Sequence, residues 1–167
     1  MSLWIILFWF SLAFIFYANF GYYLLLRLVA LVARPRPPRQ AEITPSVTLL
    51  IAARDEQAVI GRKIENSLAL DYPPEKLQVI VVSDGSRDQT DVITRRYAGR
   101  GVVHLRVDAG LGKIHALNQA LPKATGEILL ISDADSHFDP QALKLLVRNF
   151  ADPQVGAVTG EEVRLAA

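Results

Sequence analysis

The amino-acid sequence predicts an α/β protein in which a mostly parallel sheet with flanking helices is preceded by one N-terminal transmembrane helix. Residues 1–26 carry no charged side chain, and all 17 Asp and Glu residues lie at or after Glu42. After residue 46, short apolar runs alternate with amphipathic segments. The chain has 167 residues, of which 51% are hydrophobic, and its mean hydropathy of +0.23 is high for a soluble chain. Together these observations indicate a membrane-compatible leader followed by a globular part.

The uncharged N-terminal segment is long enough to cross a lipid bilayer. At about 1.5 Å of rise per residue, its helix would extend roughly 39 Å, against a hydrocarbon core of about 30 Å. A cleaved signal peptide is the alternative, and it has a basic start, a shorter apolar run and a small-x-small cleavage site. Here the start is uncharged, and Leu31 stands where a cleavage site ending at Ala33 needs a small residue. We therefore expect residues 1–33 to form a membrane anchor rather than a signal peptide or a buried hairpin.

The arginines that follow the anchor predict its orientation. Arg27, Arg34, Arg36 and Arg39 lie after the span, and no Lys or Arg precedes it. Because the flank richer in Lys and Arg usually faces the cytoplasm, the N-terminus is expected outside and the globular part in the cytoplasm. The expected location is thus the inner or plasma membrane, with a single pass. Residues 34–45 are rich in proline, which favours an extended linker, and their arginines are suited to contact anionic lipid headgroups.

Residues 46–167 alternate between predicted strands and predicted helices. The strands are largely apolar on both faces, as in a sheet covered by helices on both sides. They are predicted at residues 46–53, 77–83, 102–107, 127–132 and 155–159. Helices are predicted at residues 57–70, 88–97, 113–121 and 140–150. This alternation is typical of a parallel sheet with right-handed crossovers.

Polar side chains follow the strands at the edge where ligands of such sheets bind. They are Arg54, Asp55 and Glu56 after the first strand, Asp84-Gly85-Ser86 after the second, Gly110, Gly112 and Lys113 after the third, and Asp133-Ala134-Asp135 after the fourth. Carboxylates suit a hard divalent ion, and a lysine with glycine-bearing backbone suits a phosphate. Each motif taken singly is also a common turn or helix cap, so the prediction depends on their order and spacing.

Other chemistries are excluded or disfavoured. The chain has no cysteine, which excludes disulfides, cysteine-type zinc sites and thiol catalysis. A net charge of +1, with basic residues balanced by acids after residue 42, gives no indication of a nucleic-acid partner. Val107 and Ile114 stand where a P-loop needs Gly and Ser or Thr, and His115 stands where a dinucleotide fingerprint needs its third glycine.

Four segments in this order resemble the family 2 glycosyltransferases, which are inverting enzymes of GT-A fold that use nucleotide sugars. The segments are IAARDEQ, VIVVSDGSRDQT, GLGKIHALNQAL and GEILLISDADS, and the resemblance covers residues 46–160. It implies a Rossmann-like GT-A sheet and a nucleotide-sugar donor, with a UDP-sugar expected. Membrane-anchored members, which include cellulose, chitin, hyaluronan and poly-N-acetylglucosamine synthases, place a transmembrane helix before a cytosolic catalytic domain. That layout agrees with the predicted topology.

The resemblance implies a nucleotide-sugar-binding role for residues at each of the four strand ends. Lys113 would lie near the uracil or the diphosphate, with Asn118 supporting its loop, and Asp84 would contact the base or ribose. The full set that the resemblance implies for the nucleotide-sugar site is Ala53, Arg54, Glu56, Asp84, Lys113, Asn118 and Asp133.

The resemblance also implies a site for Mg²⁺ or Mn²⁺. Asp133 and Asp135 match the metal-binding carboxylates of the family, and Asp135 is the expected direct ligand. An alternative register pairs Asp135 with His137, as in some related GT-A enzymes. His137 is expected instead to cap the loop or face water.

The acceptor half of the family pattern does not appear in the sequence. The family's general base and the Gln-x-x-Arg-Trp signature of processive members follow well after the metal motif, and residues up to Ala167 contain neither. Glu161 and Glu162 come too early in the family order to be the base. We therefore predict no catalytic residue, an incomplete domain with an exposed apolar edge, and a downstream fragment or partner chain that supplies the acceptor half.

The expected function is that of the donor-binding half of a membrane-anchored, metal-dependent inverting glycosyltransferase. The alternative is a catalytically inactive, membrane-tethered nucleotide-binding module or subunit. Both share the same pocket, so sugar transfer distinguishes them and nucleotide binding does not. A receiver-like domain is disfavoured because Asp84 and Asp133-x-Asp135 follow different strands and the lysine is misplaced for it.

Overall fold

The chain divides into two compact units, Met1–Pro37 and Pro38–Ala167. The computed structural model describes residues 2–33, 37–108 and 110–161. All the predicted site residues belong to the second unit. Glu162 lies outside the described residues, as do Arg34 and Arg36 of the predicted linker.

In the first unit, residues Leu3–Ala33 form a continuous helical segment whose apolar side chains are exposed. By its length and composition, this segment could cross a membrane. It consists of α1 (Leu3–Phe16), a π-helical turn (Tyr17–Gly21) and α2 (Tyr22–Ala33). A Cβ atom at Gly21 would come within 2.8 Å of the Tyr17 ring, so glycine makes room for that ring where the helix widens. Asn19 donates its side-chain amide to the carbonyl of Ile15 at 2.8 Å, which satisfies this polar group within the helix.

Residues 38–45 have no regular secondary structure and form the first part of the second unit. The Arg39 backbone N–H donates to a carboxylate oxygen of Asp152 at 3.1 Å. The Tyr72 hydroxyl donates to the carbonyl of Pro45 at 2.6 Å. The second half of the predicted linker is therefore packed against the globular unit.

The second unit contains a four-stranded parallel sheet with the order β3-β2-β1-β4. Its strands are β1 (Val47–Ala53), β2 (Leu77–Asp84), β3 (Val102–Val107) and β4 (Ile128–Asp133). In the ladders, Ala53 is opposite Ser83, and Ala52 is opposite Asp133. The carboxyl ends of the strands thus meet at one edge, as predicted.

Helices cover both faces of the sheet at β1 and β2, whose alternate residues point to opposite sides. On one face, Leu49 and Ile51 of β1 pack with Ile60 and Ile64. On the other face, Leu50 of β1 and Ile80 and Val82 of β2 pack with Ala116 and Ala120. The isoleucines belong to α3 (Ile60–Leu68), and the alanines belong to α5 (Lys113–Ala120). The other α-helices in the described part of the second unit are α4 (Thr90–Arg95) and α6 (Ala142–Val147). Small alanines on α5 allow that helix to approach the sheet closely.

The helices are shorter than predicted. α3 begins at Ile60 rather than at residue 57, since residues 54–59 form a loop in which Asp55 has a left-handed φ of 55°. α4 begins at Thr90 because Asp88 accepts from the Thr90 N–H at 2.9 Å and forms a turn before the helix. Apolar periodicity located the helices correctly, whereas side-chain bonds within the loops determine where they begin.

The predicted strand at residues 155–159 was wrong, because these residues form no strand in the structure. The Val155 N–H donates to the carbonyl of Asp152 at 3.0 Å, which closes a turn at the start of the segment. Val155 and Val158 are half-buried, whereas Gly156 and Ala157 between them are exposed. A spacing of three between inward side chains does not match the period of two that a strand requires.

The outer strand β4 carries exposed apolar side chains, in line with the expected apolar edge. Leu129 is 38% exposed and Ile131 is 50% exposed. Both alternate with half-buried Ile128 and Leu130, which pack against Leu143 and Val147 of α6 in the second core cluster. One face of β4 is therefore covered by α6 while its other face is open to solvent.

Candidate functional site

The carboxyl ends of the strands surround a cavity of about 310 Å³. Its lining comes from the loops that follow β1, β2 and β4 and from the start of α5. The lining residues are Ala52, Ala53, Arg54, Glu56, Asp84, Gly112, Lys113, Asp133, Ala134 and Asp135. Four strand-end segments that are far apart in the sequence thus meet around one space.

Hydrogen bonds join the loop after β1 to the loop after β2. The Asp55 carboxylate accepts from the Arg87 N–H at 2.7 Å, and the Ser86 hydroxyl accepts from the Asp55 N–H at 3.2 Å. The Glu56 N–H donates to the Thr90 hydroxyl at 2.8 Å. These bonds hold the backbone between Arg54 and Glu56 in place, and both side chains extend from this segment.

Asp84 is a buried carboxylate at the end of β2, with 4% of its surface exposed. One of its oxygens accepts from the Gly112 N–H at 2.9 Å and lies 3.6 Å from the Arg54 guanidinium. The other oxygen is buried with no hydrogen-bond partner among the described residues. A buried acceptor without a partner is costly, and a ligand with a hydroxyl or N–H group would satisfy it.

Two glycines allow the loop before α5 to approach Asp84. Gly112 has a φ of 98°, a conformation that side-chain-bearing residues rarely adopt, and it directs its N–H to Asp84. A Cβ atom at Gly85 would lie 3.5 Å from the backbone nitrogen of Gly110, so the turns after β2 and β3 are in close contact. The glycines therefore allow the turn after β2 and the loop before α5 to pack closely at the cavity.

The loop after β4 presents two carboxylates on the same side. Asp133 and Asp135 are exposed, whereas Ala134 between them is 3% exposed and packs in the core cluster that contains Ile60 and Ile64. Asp133 forms an ion pair with the Lys113 ammonium. Burial of the central alanine thus turns the carboxylates of residues 133 and 135 toward the cavity.

Glu56 experiences the negative charge of this cavity. Its pKa is raised above the ordinary value, first by burial and then by the charges of Asp135, Asp88, Asp133 and Asp55. A carboxyl group that is already repelled by several carboxylates gains most from a cation placed among them. The electrostatics of the cavity therefore favour a positively charged ligand near Asp133 and Asp135.

The donor set fits a hard divalent ion that arrives with a phosphate ligand. No group of three or more His, Asp or Glu residues in the described ranges is arranged as a complete metal cage. Mg²⁺ typically retains several waters and binds through one or two carboxylates plus substrate phosphates. The Asp133 and Asp135 pair, with Lys113 beside it, provides that smaller donor set.

The structure brings together most of the residues that the sequence singled out. Six of the seven nucleotide-site residues and Asp135 line the cavity. Asn118 does not line it and is exposed on α5. His137 lies in a neighbouring groove, where its Nε2 atom is 3.2 Å from the Asn66 amide nitrogen. The roles of all these residues stay predictions.

The sequence analysis did not identify Lys63 and Arg106, which contact loops of the site without lining the cavity. Lys63 lies on the apolar face of α3, one turn after Ile60, and is 2% exposed. A lysine at a core position of an amphipathic helix is a signal that the sequence already contained. Arg106 on β3 pairs with Asp91 and donates to the carbonyl of Ser86 at 3.1 Å, which supports the turn after Asp84.

The parallel sheet, its flanking helices and the acidic cavity at the strand ends define a glycosyltransferase domain of GT-A type. The chain belongs to Glycosyl transferase family 2, whose sequence pattern matches residues 48–163. This confirms the family and the fold that the four strand-end segments predicted.

Two curated relatives show how much of a longer protein the chain matches. A beta-monoglucosyldiacylglycerol synthase from Synechocystis is 36% identical over 118 residues, which cover 68% of this chain and 25% of the synthase. A poly-beta-1,6-N-acetyl-D-glucosamine synthase from Staphylococcus aureus is 30% identical over 141 residues, which cover 83% of this chain and 34% of that protein. The matched part of the chain thus corresponds to about a quarter to a third of each relative.

Solved structures of glycosyltransferases share the fold. A mannosyltransferase from Pyrobaculum calidifontis, in complex with GDP-Man and Mn²⁺, matches with a TM-score of 0.74 at 36% identity, covering 84% of this chain and 43% of that chain. TarS from Staphylococcus aureus, in complex with UDP, matches with a TM-score of 0.56 at 25% identity, covering 59% of this chain and 30% of that chain.

Proposed function

We propose that this chain is the donor-binding part of a membrane-anchored inverting glycosyltransferase that uses a nucleotide sugar with Mg²⁺ or Mn²⁺. The observation that carries the proposal is the cavity at the carboxyl ends of the strands, where Asp84, Asp133, Asp135 and Lys113 meet. A carboxylate pair beside a lysine suits a metal-bridged diphosphate better than it suits an uncharged ligand.

The donor class is supported by the ligands of similar structures. The Pyrobaculum mannosyltransferase was solved with GDP-Man and Mn²⁺, and TarS with UDP and with UDP-GlcNAc, the latter at 26% identity and a TM-score of 0.54. All three ligands contain a nucleoside diphosphate. We therefore propose a nucleoside-diphosphate sugar as donor, with a UDP-sugar first and a GDP-sugar as the tested alternative.

In this proposal, different residues of the chain contact different parts of the donor. The buried free oxygen of Asp84 accepts a hydrogen bond from the base or ribose, and the Arg54 guanidinium lies next to it. The Lys113 ammonium neutralises negative charge on the diphosphate. Asp133 and Asp135 would hold the divalent ion, with Asp135 as direct ligand.

The bound ion would act as a Lewis acid that stabilises the charge on the diphosphate leaving group. The protein side chains would hold the diphosphate in place. Asp133 is itself oriented by its ion pair with Lys113, and hydrogen bonds join the loops around Asp84. Fixed charges of this kind favour bond cleavage without having to reorganise during the reaction.

Inversion requires an acceptor hydroxyl to attack from the face opposite the leaving group, with a carboxylate that removes its proton. We assign this base to none of the described residues; Glu161 is exposed and does not line the cavity. The proposal thus assigns the acceptor half to a downstream fragment or partner chain. Transfer of labelled sugar, with and without such a fragment, separates this function from that of a nucleotide-binding module without chemistry.

Calorimetry on the full chain in detergent tests the proposal directly. We expect UDP to bind more tightly in the presence of Mn²⁺ than in its absence, and we expect Asp135→Asn to remove this difference. Asp71→Asn is the matched control, since Asp71 pairs with Lys144 and does not line the cavity. Absence of binding to both UDP and GDP at millimolar concentrations, with Mn²⁺ present, would contradict the proposal.

A further inference from the structure

Lys63 is a buried lysine whose ammonium contacts the loop that follows the metal-binding carboxylates. Its Nζ atom donates to the backbone carbonyl of Ser136 at 3.0 Å and contacts the Ser136 hydroxyl at 2.8 Å. It also lies 3.8 Å from the centroid of the Phe138 ring. A buried ammonium is tolerated only when such partners replace its water, so Lys63 and this loop depend on each other.

Asn66 contacts the same loop from the next turn of α3. Its amide nitrogen donates to the Phe138 carbonyl at 2.9 Å, and its oxygen accepts from the Phe138 N–H at 2.8 Å. This pair of bonds imitates the pairing between two strands and fixes the backbone of residue 138 in both directions. The amide nitrogen also lies 3.2 Å from Nε2 of His137.

The fixed loop is coupled to the carboxylates through Ser136. The Ser136 hydroxyl donates to the Asp133 carbonyl at 3.0 Å and lies 2.8 Å from the Ser132 hydroxyl. Ala134 packs in the core cluster that contains Ile60 and Ile64 of the same helix. Contacts from α3 therefore bracket Asp135 on both sides, at residue 134 and at residues 136–138.

Neither Lys63 nor Asn66 lines the cavity that contains Asp84 and Lys113. Their polar atoms are directed to the loop backbone, with the distances given above. They line the neighbouring groove, which Asp135 also lines, and their printed hydrogen bonds go to residues 136–138 of the loop.

We propose that Lys63 and Asn66 are positioning residues that hold the 133–135 carboxylates in the orientation required for divalent metal binding. The inference rests on the proposed function, because it concerns the metal site of that function. Residues that orient metal ligands from outside the site typically change metal affinity by about 10–100-fold when they are replaced.

The test compares metal-dependent and metal-independent nucleotide binding in the full chain. UDP is titrated with and without Mn²⁺ into the wild type, Lys63→Met, Lys63→Arg and Asn66→Ala, and bound Mn²⁺ is followed by electron paramagnetic resonance. We expect Lys63→Met and Asn66→Ala to lose about tenfold or more in Mn²⁺ affinity. In both variants, the affinity for UDP without metal is expected to remain within about twofold of the wild-type value. Lys63→Arg is expected to retain part of the Mn²⁺ affinity that Lys63→Met loses.

Ser67→Ala is the matched control for damage to α3. Ser67 is fully buried on the same helix, and its hydroxyl donates to the Lys63 carbonyl at 2.8 Å, away from the 136–138 loop. If Ser67→Ala lowers Mn²⁺ affinity as much as Lys63→Met does, or if Lys63→Met weakens UDP binding equally with and without metal, the positioning role is wrong. If Lys63→Met does not fold, Asn66→Ala decides, because Asn66 is only half-buried.

The outcomes separate this inference from the proposed function. Wild-type chain that gains no UDP affinity from Mn²⁺ would overturn both. Wild-type chain that gains affinity, together with Lys63→Met and Asn66→Ala variants that gain as much, would leave the proposed function intact and overturn the inference alone. Asp135→Asn gives the reference for a site without metal binding.

Discussion

At the residue scale, Asp84 combines a cost in stability with a proposed role in ligand binding. One oxygen is bonded to the Gly112 N–H, and the other is buried without a partner among the described residues. Groups that are poorly satisfied in the folded protein often serve ligand binding, so stability and function oppose each other at such positions. The physical reason is that a bound ligand would supply the missing hydrogen-bond donor.

We expect Asp84→Asn to lower UDP affinity at least about tenfold while the thermal midpoint changes little, because an unpartnered N–H₂ group replaces an unpartnered oxygen. The amide oxygen can still accept from Gly112, whereas its N–H₂ group removes the free acceptor that the proposed base or ribose contact needs. Calorimetry and thermal denaturation of the same samples measure the two quantities. A variant that is strongly destabilised yet binds UDP normally would show that Asp84 serves the fold alone.

Lys63 gives a prediction for the pH dependence of stability. Burial lowers its pKa from 10.5 to about 8, against the opposing attraction of Asp133 and Asp135. Between about pH 8 and pH 10.5 the unfolded chain therefore binds more protons at this lysine than the folded chain does, and stability rises with pH. At about 1.4 kcal/mol for each pKa unit, the increase amounts to about 3 kcal/mol.

Urea denaturation of the wild type and Lys63→Met at pH 7.5, 9 and 10.5 measures this effect. The difference in unfolding free energy between the two proteins should shift in favour of the wild type as the pH rises. Subtraction of the variant removes the titration of the other lysines and tyrosines. A constant difference across this range would mean that Lys63 titrates in the folded protein as it does in the unfolded chain.

At the scale of elements, Gly126 shows why β4 can begin where it does. A Cβ atom at residue 126 would lie 2.4 Å from the backbone nitrogen of Thr48 and 2.6 Å from the carbonyl carbon of Val47. These are backbone atoms of the central strand β1, which cannot move aside. The chain can therefore enter β4 beside β1 only with a glycine at this position.

We expect Gly126→Ala to lower the free energy of unfolding by about 3 kcal/mol, because overpacking against backbone forces the strand to shift. Gly99→Ala is the matched control, since nothing lies within 4 Å of a Cβ atom at that position. The control should change stability by less than about 0.5 kcal/mol. Chemical denaturation of both variants provides the comparison, and equal stability of the two would refute the role given to Gly126.

The elements were predictable where the pattern was strong, and less so elsewhere. The four strands were evident as apolar runs, and the polar residues after them marked the cavity. The start of α3 was not predictable, because it depends on hydrogen bonds that the Glu56 and Gln57 N–H groups donate to Thr90 and Asp88, which are distant in sequence. The positions of Lys63 and Asn66 behind the cavity likewise depend on which loop packs against α3. Two valines at residues 155 and 158 were not enough to specify a strand.

At the scale of the whole molecule, the N-terminal helix leads to a prediction about the side of the membrane on which the globular unit lies. Residues 3–33 form a helix of sufficient length to span a bilayer, and Arg27 and Arg39 lie toward its C-terminal side. The proposed orientation places the globular unit, with the cavity at its strand ends, on the cytoplasmic side.

Because the chain contains no cysteine, single introduced cysteines report this orientation without background. We expect a membrane-impermeant maleimide to label Ser2→Cys in intact cells and to label Gln154→Cys only after the membrane is permeabilised. Both positions are exposed in the structure. The reverse labelling pattern would contradict a cytoplasmic globular unit.

The position of β4 at the outside of the sheet has a consequence for the space beside the proposed metal ligands. In the described sheet β4 pairs with β1 on one side, and it ends in Asp133, beside the proposed metal ligands. Any polypeptide that added to its open side as a parallel neighbour would finish next to Asp135. A strand docked at this margin would therefore also change the surroundings of the proposed metal ligands, so partner binding and metal affinity would be linked.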